Sequence, residues 1–368
     1  MTRLIDHRDL PALRDEIHTL TTWRQSQAQS QPLRVALVYG GVSEEDRLYI
    51  SQCPTNQLSV TALSESLTEI GTVFEVLDPC DPRFIRDLSR FEVVLSNLHG
   101  PYGEDGRLQG LLDYLRKPYA GNSVAACAVA ADKLLCKRVM HGLGVPTPSW
   151  QVGDRRHAVQ WIGRPMMIKP PLGGSSVGMS LVREEKELAP ALETAWSTDS
   201  SSSALAEEYI EGVPVTVGLL ELPGGLVVLP PLATTVKGAD FYDADTKLHA
   251  DESAPSSVEV TRTDFPEHTQ AALTRCALTL WEGLGCQGTA RIDFIVTSNG
   301  AVYALEVNPT PGMSRDSNFV AGAAMVGMSH ADVVTAMLHQ AMRRRPYDVP
   351  LPAPVFGDSS TPVREPSA

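Results

Sequence analysis

Two short apolar runs with polar residues at alternate positions constrain this chain more than any other feature. They are Ala290-Arg291-Ile292-Asp293-Phe294 and Leu305-Glu306-Val307-Asn308-Pro309-Thr310-Pro311-Gly312-Met313. Alternate side chains on a strand share a face, so Arg291 with Asp293, and Glu306 with Asn308, each point one way. Two such strands side by side offer three oxygen ligands and one guanidinium to a common point. Oxygen ligands suit Mg²⁺, and bridged phosphates suit a neighbouring cation. The pattern reads as a metal–nucleotide site carried on a sheet. A structural salt bridge is the plain alternative, because acids in such apolar company need a partner when buried.

The rest of the chain supplies a frame of the α/β type. Arg34-Val35-Ala36-Leu37-Val38-Tyr39 has the composition of a buried strand, closed by Gly40-Gly41. A helix is expected over residues 61–70, then strands over 73–77 and 93–98, and a helical stretch over 124–143. This alternation implies a parallel, Rossmann-like sheet whose ligand groups collect at the strand C-termini. From Pro165 the runs become short and β-like, as in Met166-Met167-Ile168-Lys169 and Ala204-Leu205-Ala206-Glu207. Five segments follow: a polar extension over 1–31, helical and loosely attached; a first domain over 32–121; a central one over 122–207; a third over 208–345; and a disordered Pro-rich tail over 346–368.

With 44 acidic against 31 basic side chains the formal charge is −13, which argues against a nucleic-acid or anionic-membrane partner. No apolar run approaches the roughly 20 residues of a bilayer span, and residues 1–9 lack the apolar core of a signal peptide. Six cysteines without C-x-x-C spacing suit reduced, cytoplasmic thiols.

Other stretches carry chemistry less specifically. Lys169-Pro170-Pro171-Leu172-Gly173-Gly174-Ser175-Ser176-Val177-Gly178-Met179 is a strand, a small-residue loop and a strand. Such a loop brings N–H groups of Gly174 and hydroxyls of Ser175 and Ser176 to phosphate oxygens, or is a plain hairpin turn. No lysine follows its last glycine, so it is not a Walker loop. Glu207-Glu208-Tyr209-Ile210 suits an adenine ring, or is an acidic linker. Lys133 and Lys169 are compact charges for phosphates, although most lysines are solvated. Glu45, after the first strand, could meet an ammonium or simply favour a helix start. His99 ends a later strand at the sheet's ligand edge.

Taken in order, these blocks resemble the D-alanine–D-alanine ligases of the ATP-grasp superfamily. The resemblance runs from about Val35 to Leu338 and is carried by residues 98–110, 118–122, 131–133, 174–179, 288–294 and 306–313. It implies an ATP-grasp fold in which the first domain binds substrate and the central and third segments are the ATP-grasp subdomains. It implies that Lys133, Lys169 and the loop around Gly174, Ser175 and Ser176 contact the ATP phosphates. Glu207, Glu208, Tyr209 and Ile210 would surround adenine, and Asp293, Glu306 and Asn308 would hold two Mg²⁺ ions, with Mn²⁺ an alternative. Glu45, ordered by Ser175, would meet the first amino acid's ammonium, His99 would orient substrates, and Ser317 with Asn318 would receive the second substrate. Lys247 would lie on the closing loop, at both nucleotide and substrate. Arg291 and the Gly312 N–H would meet the tetrahedral oxyanion. The implied activity joins two small amino acids through an acyl phosphate, in a cytoplasmic homodimer.

Four positions depart from that family's pattern. Pro214 stands where an acidic residue usually binds the ribose hydroxyls, and proline has no side-chain acceptor. Leu248 replaces the tyrosine after the loop lysine, unless His249 substitutes for its hydroxyl. Asn318 follows Ser317 where ordinary ligases have leucine and vancomycin-resistance ligases often have arginine. Leu48-Tyr49 replaces a smaller Val-Ser pair. The changes sit at the ribose and amino-acid subsites while the phosphate and metal residues remain. They imply an active ligase of altered substrate preference; a housekeeping D-alanine–D-alanine ligase and an ATP-binding regulatory pseudoenzyme are the rivals.

Overall fold

The computed structural model describes residues 3–42, 44–174, 177–198, 200–237 and 257–344. Ser175, Ser176, Lys247, Leu248, His249 and the tail over 346–368 lie outside the described residues.

Three sheets organise the chain. The first is parallel, with Arg34–Val38 between Val73–Leu77 and Val93–Ser96. Val35, Ala36, Leu37 and Val38 are all buried, as a central parallel strand covered on both faces requires. The second sheet is antiparallel and runs Trp150–Asp154, Ser203–Glu208, Met166–Lys169, Ser180–Val182. Helix Leu188–Thr198 covers it and shares its core through Leu188, Ala191, Leu192 and Ala195.

The third sheet has seven strands, and Val213–Leu222 is its spine. That strand pairs antiparallel with Gly225–Val228, Leu232–Lys237 and Thr289–Val296. Val215, Val217 and Leu219 face one core, and Leu220 and Leu222 face another. This period of two explains an apolar run too continuous for a half-exposed strand. Helix Glu267–Leu284 lies on the first face; helices Ser59–Ile70 and His330–Arg343 share the core on the second.

Two expectations are corrected. The stretch before residue 31 is not loosely attached. Leu4–Asp6 pairs parallel with Gly225–Val228, so it is an edge strand of the largest sheet. Asp9 then caps helix Leu10–Ser30 by accepting from the Ala12 N–H. Leu13 and Leu20, two turns apart on one face, are buried in the core shared with His330–Arg343. Glu16 adds a polar tie, accepting from the Gly224 N–H at 2.8 Å. The Gln/Ser-rich residues expected as a linker include the last turn of this helix.

The helical stretch over 124–143 is two helices, Val124–Ala131 and Lys133–Gly142. Asp132 leaves the helical conformation and caps the second by accepting from the Leu134 and Leu135 N–H groups. Ala126, Ala130, Cys136 and Met140 pack into the core of the seven-stranded sheet. A boundary at 122 therefore groups these helices with the wrong sheet, and the four-stranded unit begins at Trp150.

Candidate active site

The two strands that open the sequence argument are neighbours. Thr289–Val296 and Val302–Asn308 pair antiparallel with Asp293 opposite Glu306 and Arg291 opposite Asn308. Directly opposed residues stand about 5 Å apart at their Cβ atoms, so all four reach one point above the sheet. A bulge follows Asp293. Arg291 donates to both Asp293 oxygens, at 3.0 and 2.9 Å, and Thr216, opposite Asp293 on the spine strand, donates to Oδ1. Burial disfavours the Arg291 charge, but the Asp293 carboxylate outweighs it and holds the guanidinium well above its usual range.

Among the described residues no three His, Cys, Asp or Glu side chains cluster as a metal site. The set here is two carboxylates and one amide, all oxygen donors of the kind Mg²⁺ takes. Asn308 Oδ1 also accepts from the Thr310 N–H at 3.1 Å, which orients the amide with its oxygen toward the turn. The residues fit the ion by chemistry and register.

A second cluster lies on the four-stranded sheet. Glu207 is buried between two lysines, with Lys137 Nζ at 2.5 Å from one oxygen and Lys169 Nζ at 2.6 Å from the other. Burial would push this carboxyl up, but the two ammonium groups prevail and hold it at about 2. Lys137 also donates to Thr147 Oγ1 at 2.5 Å and to the Ala304 carbonyl at 3.3 Å, and burial lowers its pKa. Two ammonium groups against one carboxylate leave a surplus positive charge in a buried place, which calls for an anion. Lys133, more exposed, donates to the Gly173 carbonyl at 2.6 Å, at the foot of the glycine loop. Gly173 and Gly178 have φ of +93° and +71°, the region where glycine costs nothing.

Glu207 thus turns its carboxylate inward, away from the expected contact with a base. The partly exposed groups beside it are Glu208, Tyr209 and Ile210. Glu208 accepts from Ser149 Oγ at 2.7 Å and pairs with Arg164 at 3.1 Å. Pro214 is exposed near the start of the spine strand, opposite Ile295.

The turn after Asn308 is held from several sides. Asn122 donates to the Thr289 and Pro309 carbonyls at 2.6 and 2.7 Å, joining the two strands at their ends. A Cβ placed on Gly312 would lie 3.6 Å from that of Ser317, so these two expected groups are adjacent. Ser317 caps helix Asn318–Met325, and Asn318 is that helix's first residue. His99 pairs with Glu104 at 3.2 Å, and Glu104 also accepts from the Gly100 N–H. Glu45 lies on helix Glu44–Gln52, where Leu48 is 55% exposed.

Sequence reasoning missed Lys137, Thr216, Asn97 and His330. Lys137 had a signal, since it follows Lys133 by four residues on one helix face. Thr216 had another, as a polar residue inside the Val213–Leu222 apolar run.

Residues 144–339 match the family described as the D-ala D-ala ligase C-terminus. A protein from Synechococcus sp. (strain JA-2-3B'a(2-13)) named D-alanine–D-alanine ligase is 33% identical over 326 residues, covering 85% of this chain and 94% of its own. The chain belongs to the D-alanine–D-alanine ligase family. It is accordingly an ATP-dependent ligase with the ATP-grasp fold. The D-alanine–D-alanine ligase of Bacillus anthracis superposes with a TM-score of 0.72 at 25% identity, over 84% of this chain and 98% of that one. The VanG D-Ala:D-Ser ligase of Enterococcus faecalis shares the fold, with a TM-score of 0.67 at 21% identity over 84% of this chain and 100% of that one. Proteins of this fold thus carry names with different acceptors.

Proposed function

We propose that this ligase joins two D-alanine-like amino acids, with a preference shifted from that of the housekeeping enzyme. The observation that carries the reaction type is the register of Asp293 opposite Glu306 and Arg291 opposite Asn308, with Glu306 close enough to Lys169 of the lysine cluster to favour its charge. In this reading Asp293, Glu306 and Asn308 would hold two Mg²⁺ ions, or Mn²⁺ in their place, and the ions would supply positive charge to the transferring phosphoryl group. Lys169 and Lys133 grip the ATP phosphates under the loop that carries Gly174, Ser175 and Ser176, with Lys247 on the closing loop. Tyr209 and Ile210 face adenine, together with Glu208.

The first carboxylate takes the γ-phosphoryl group, and ADP leaves. The second substrate's amine attacks the acyl carbon. The oxyanion that forms is met by Arg291 and the Gly312 N–H, and the collapse expels inorganic phosphate while the amine loses a proton. Glu45 holds the first ammonium, His99 orients the pair, and the Ser317 hydroxyl at a helix N-terminus receives the second carboxylate, beside Asn318. Excluding water spares the acyl phosphate from hydrolysis. The enzyme acts in the cytoplasm as a homodimer.

The case for an altered preference is local: Leu48, Pro214, Leu248 and Asn318 all depart from the family at the ribose and amino-acid subsites. The deciding experiment measures ATP-dependent phosphate release over a matrix of D- and L-amino acids, with products weighed by mass spectrometry. Dipeptides other than D-Ala–D-Ala support the reading. Vigorous, selective D-Ala–D-Ala synthesis overturns the altered preference and leaves a housekeeping ligase. ATP binding with no amino-acid-dependent release overturns the ligase reading itself.

A further inference from the structure

The Gly312 N–H belongs to the same peptide unit as the Pro311 carbonyl. That unit is trans, so the two groups point in opposite directions from one rigid plane. Whatever holds the Pro311 oxygen therefore aims the Gly312 hydrogen. The holder is Asn97, which donates from Nδ2 to Pro311 O at 3.2 Å. Asn97 stands just past the end of strand Val93–Ser96 in the first sheet, some two hundred residues away in sequence, and its side chain is buried. Its own N–H bonds to the Val38 carbonyl at 3.2 Å, so its backbone is tied to the neighbouring strand. The amide orientation follows from chemistry, since the reverse would set two oxygens face to face. The Asn97 Oδ1 is buried without a hydrogen bond, a cost accepted in order to present Nδ2 to the turn.

A second tie holds the Met313–Ser314 peptide, two units further on. His330, the first residue of its helix, donates from Nε2 to the Met313 carbonyl at 2.9 Å. A carbonyl only accepts, so Nε2 bears the proton, and Nδ1 accepts from Ser66 Oγ at 2.7 Å. Ser66 lies on helix Ser59–Ile70, beside the first sheet. The peptide that carries the Gly312 N–H and the Met313–Ser314 peptide beyond it thus both have their carbonyls gripped from outside the turn. A carbonyl that accepts a hydrogen bond also polarises its peptide, making the attached N–H the stronger donor.

We infer that Asn97 is a positioning residue for this ligase. Through the Pro311–Gly312 peptide it orients and strengthens the N–H that meets the tetrahedral oxyanion, and the Ser66–His330–Met313 chain is its auxiliary. This rests on the role proposed above for Gly312. The residue acts on the second half-reaction, when the oxyanion forms, and leaves formation of the acyl phosphate untouched.

The test separates the half-reactions in Asn97→Asp, which keeps the shape and loses the donor, and in Asn97→Leu, which also removes the unpartnered oxygen. Acyl-phosphate formation is read by positional isotope exchange in ¹⁸O-labelled ATP with the first amino acid alone. Dipeptide formation is read as kcat and KM with both substrates. Misaiming a reacting group by a fraction of an ångström to an ångström costs up to about 100-fold, so kcat for dipeptide should fall roughly 10- to 100-fold. Isotope exchange and ATP KM should stay near those of the parent, while the unfolding midpoint falls further in Asn97→Asp, which sets two oxygens face to face, than in Asn97→Leu. His330→Phe should show the same split more weakly. Unchanged dipeptide kcat in both Asn97 variants overturns the inference. So does a parallel fall of isotope exchange and dipeptide kcat, which marks a merely structural residue. If the parent shows no amino-acid-dependent exchange with any substrate, the ligase reading fails and takes the inference with it.

Discussion

Lys137 is held by one carboxylate, one hydroxyl and one backbone carbonyl, and it is almost wholly buried. Its removal leaves Glu207 with Lys169 as the remaining counter-ion inside the protein. Leaving a buried charge alone costs about 3–5 kcal/mol, and because Glu207 keeps Lys169 as its counter-ion, Lys137→Met should cost less than that in urea unfolding. Lys169 would then be claimed more strongly by Glu207, and ATP KM should rise. Adding Glu207→Gln leaves the buried Lys169 without its carboxylate and should lower the stability further. His330 makes a second prediction at this scale. Burial lowers its pKa below the ordinary 6.5, opposed by its bond to Met313; Arg315, Glu65 and Glu69 are the charged groups near it. An unfolded chain then binds more protons than the folded one just below pH 6.5. The stability that His330 contributes is complete above that value and is lost as pH falls through it toward the lower folded pKa. Denaturant midpoints of the parent and of His330→Phe should therefore converge as pH falls from about 7.5 to about 5.5. A constant gap across that range would contradict the buried neutral ring.

At the scale of elements, the N-terminal helix makes the sharpest prediction. Leu13 and Leu20 lie fully inside the core shared with helix His330–Arg343. Leu→Ala at either site should cost about 2–5 kcal/mol, whereas a loosely attached helix would lose almost nothing. Calorimetry of the two variants decides between them. The failure to read this from the sequence has a physical cause. The stripe formed by Leu13, Ile17 and Leu20 is narrow, the surrounding residues are polar, and Leu4–Asp6 is too short to show a period. Its partner strand lies far along the chain, so nothing local announces the pairing. The strands bearing Arg291, Asp293, Glu306 and Asn308 were legible because alternation is local and the chemistry rides on it. Asn97 was not, since an amide acquires a role only when a distant carbonyl is set beside it, and the spacing of Lys137 from Lys133 marks a helix face without announcing its carboxylate partner. The break at Asp132 sits between, visible in retrospect as a capping residue inside an apolar helical run.

For the whole molecule, the cores divide unevenly. One core joins helix Leu10–Ser30, the parallel sheet and one face of the seven-stranded sheet. The four-stranded sheet packs a smaller core of its own with helix Leu188–Thr198. Units with fewer buried apolar groups open first, so amides of Ser203–Glu208 should exchange with solvent faster than those of Val213–Leu222. Equal protection in a hydrogen-exchange experiment would show that the two sheets open as one. The edge strand Leu4–Asp6 has a consequence for the making of the protein. Leu4 pairs with Leu226, which is translated about 220 residues after it. At roughly 5–20 residues per second the ribosome takes about 10–40 s to supply that partner. Throughout that interval Leu13 and Leu20 lack the part of their core that the seven-stranded sheet and helix His330–Arg343 supply, and the nascent chain displays an apolar stripe of the sort that holdase chaperones bind.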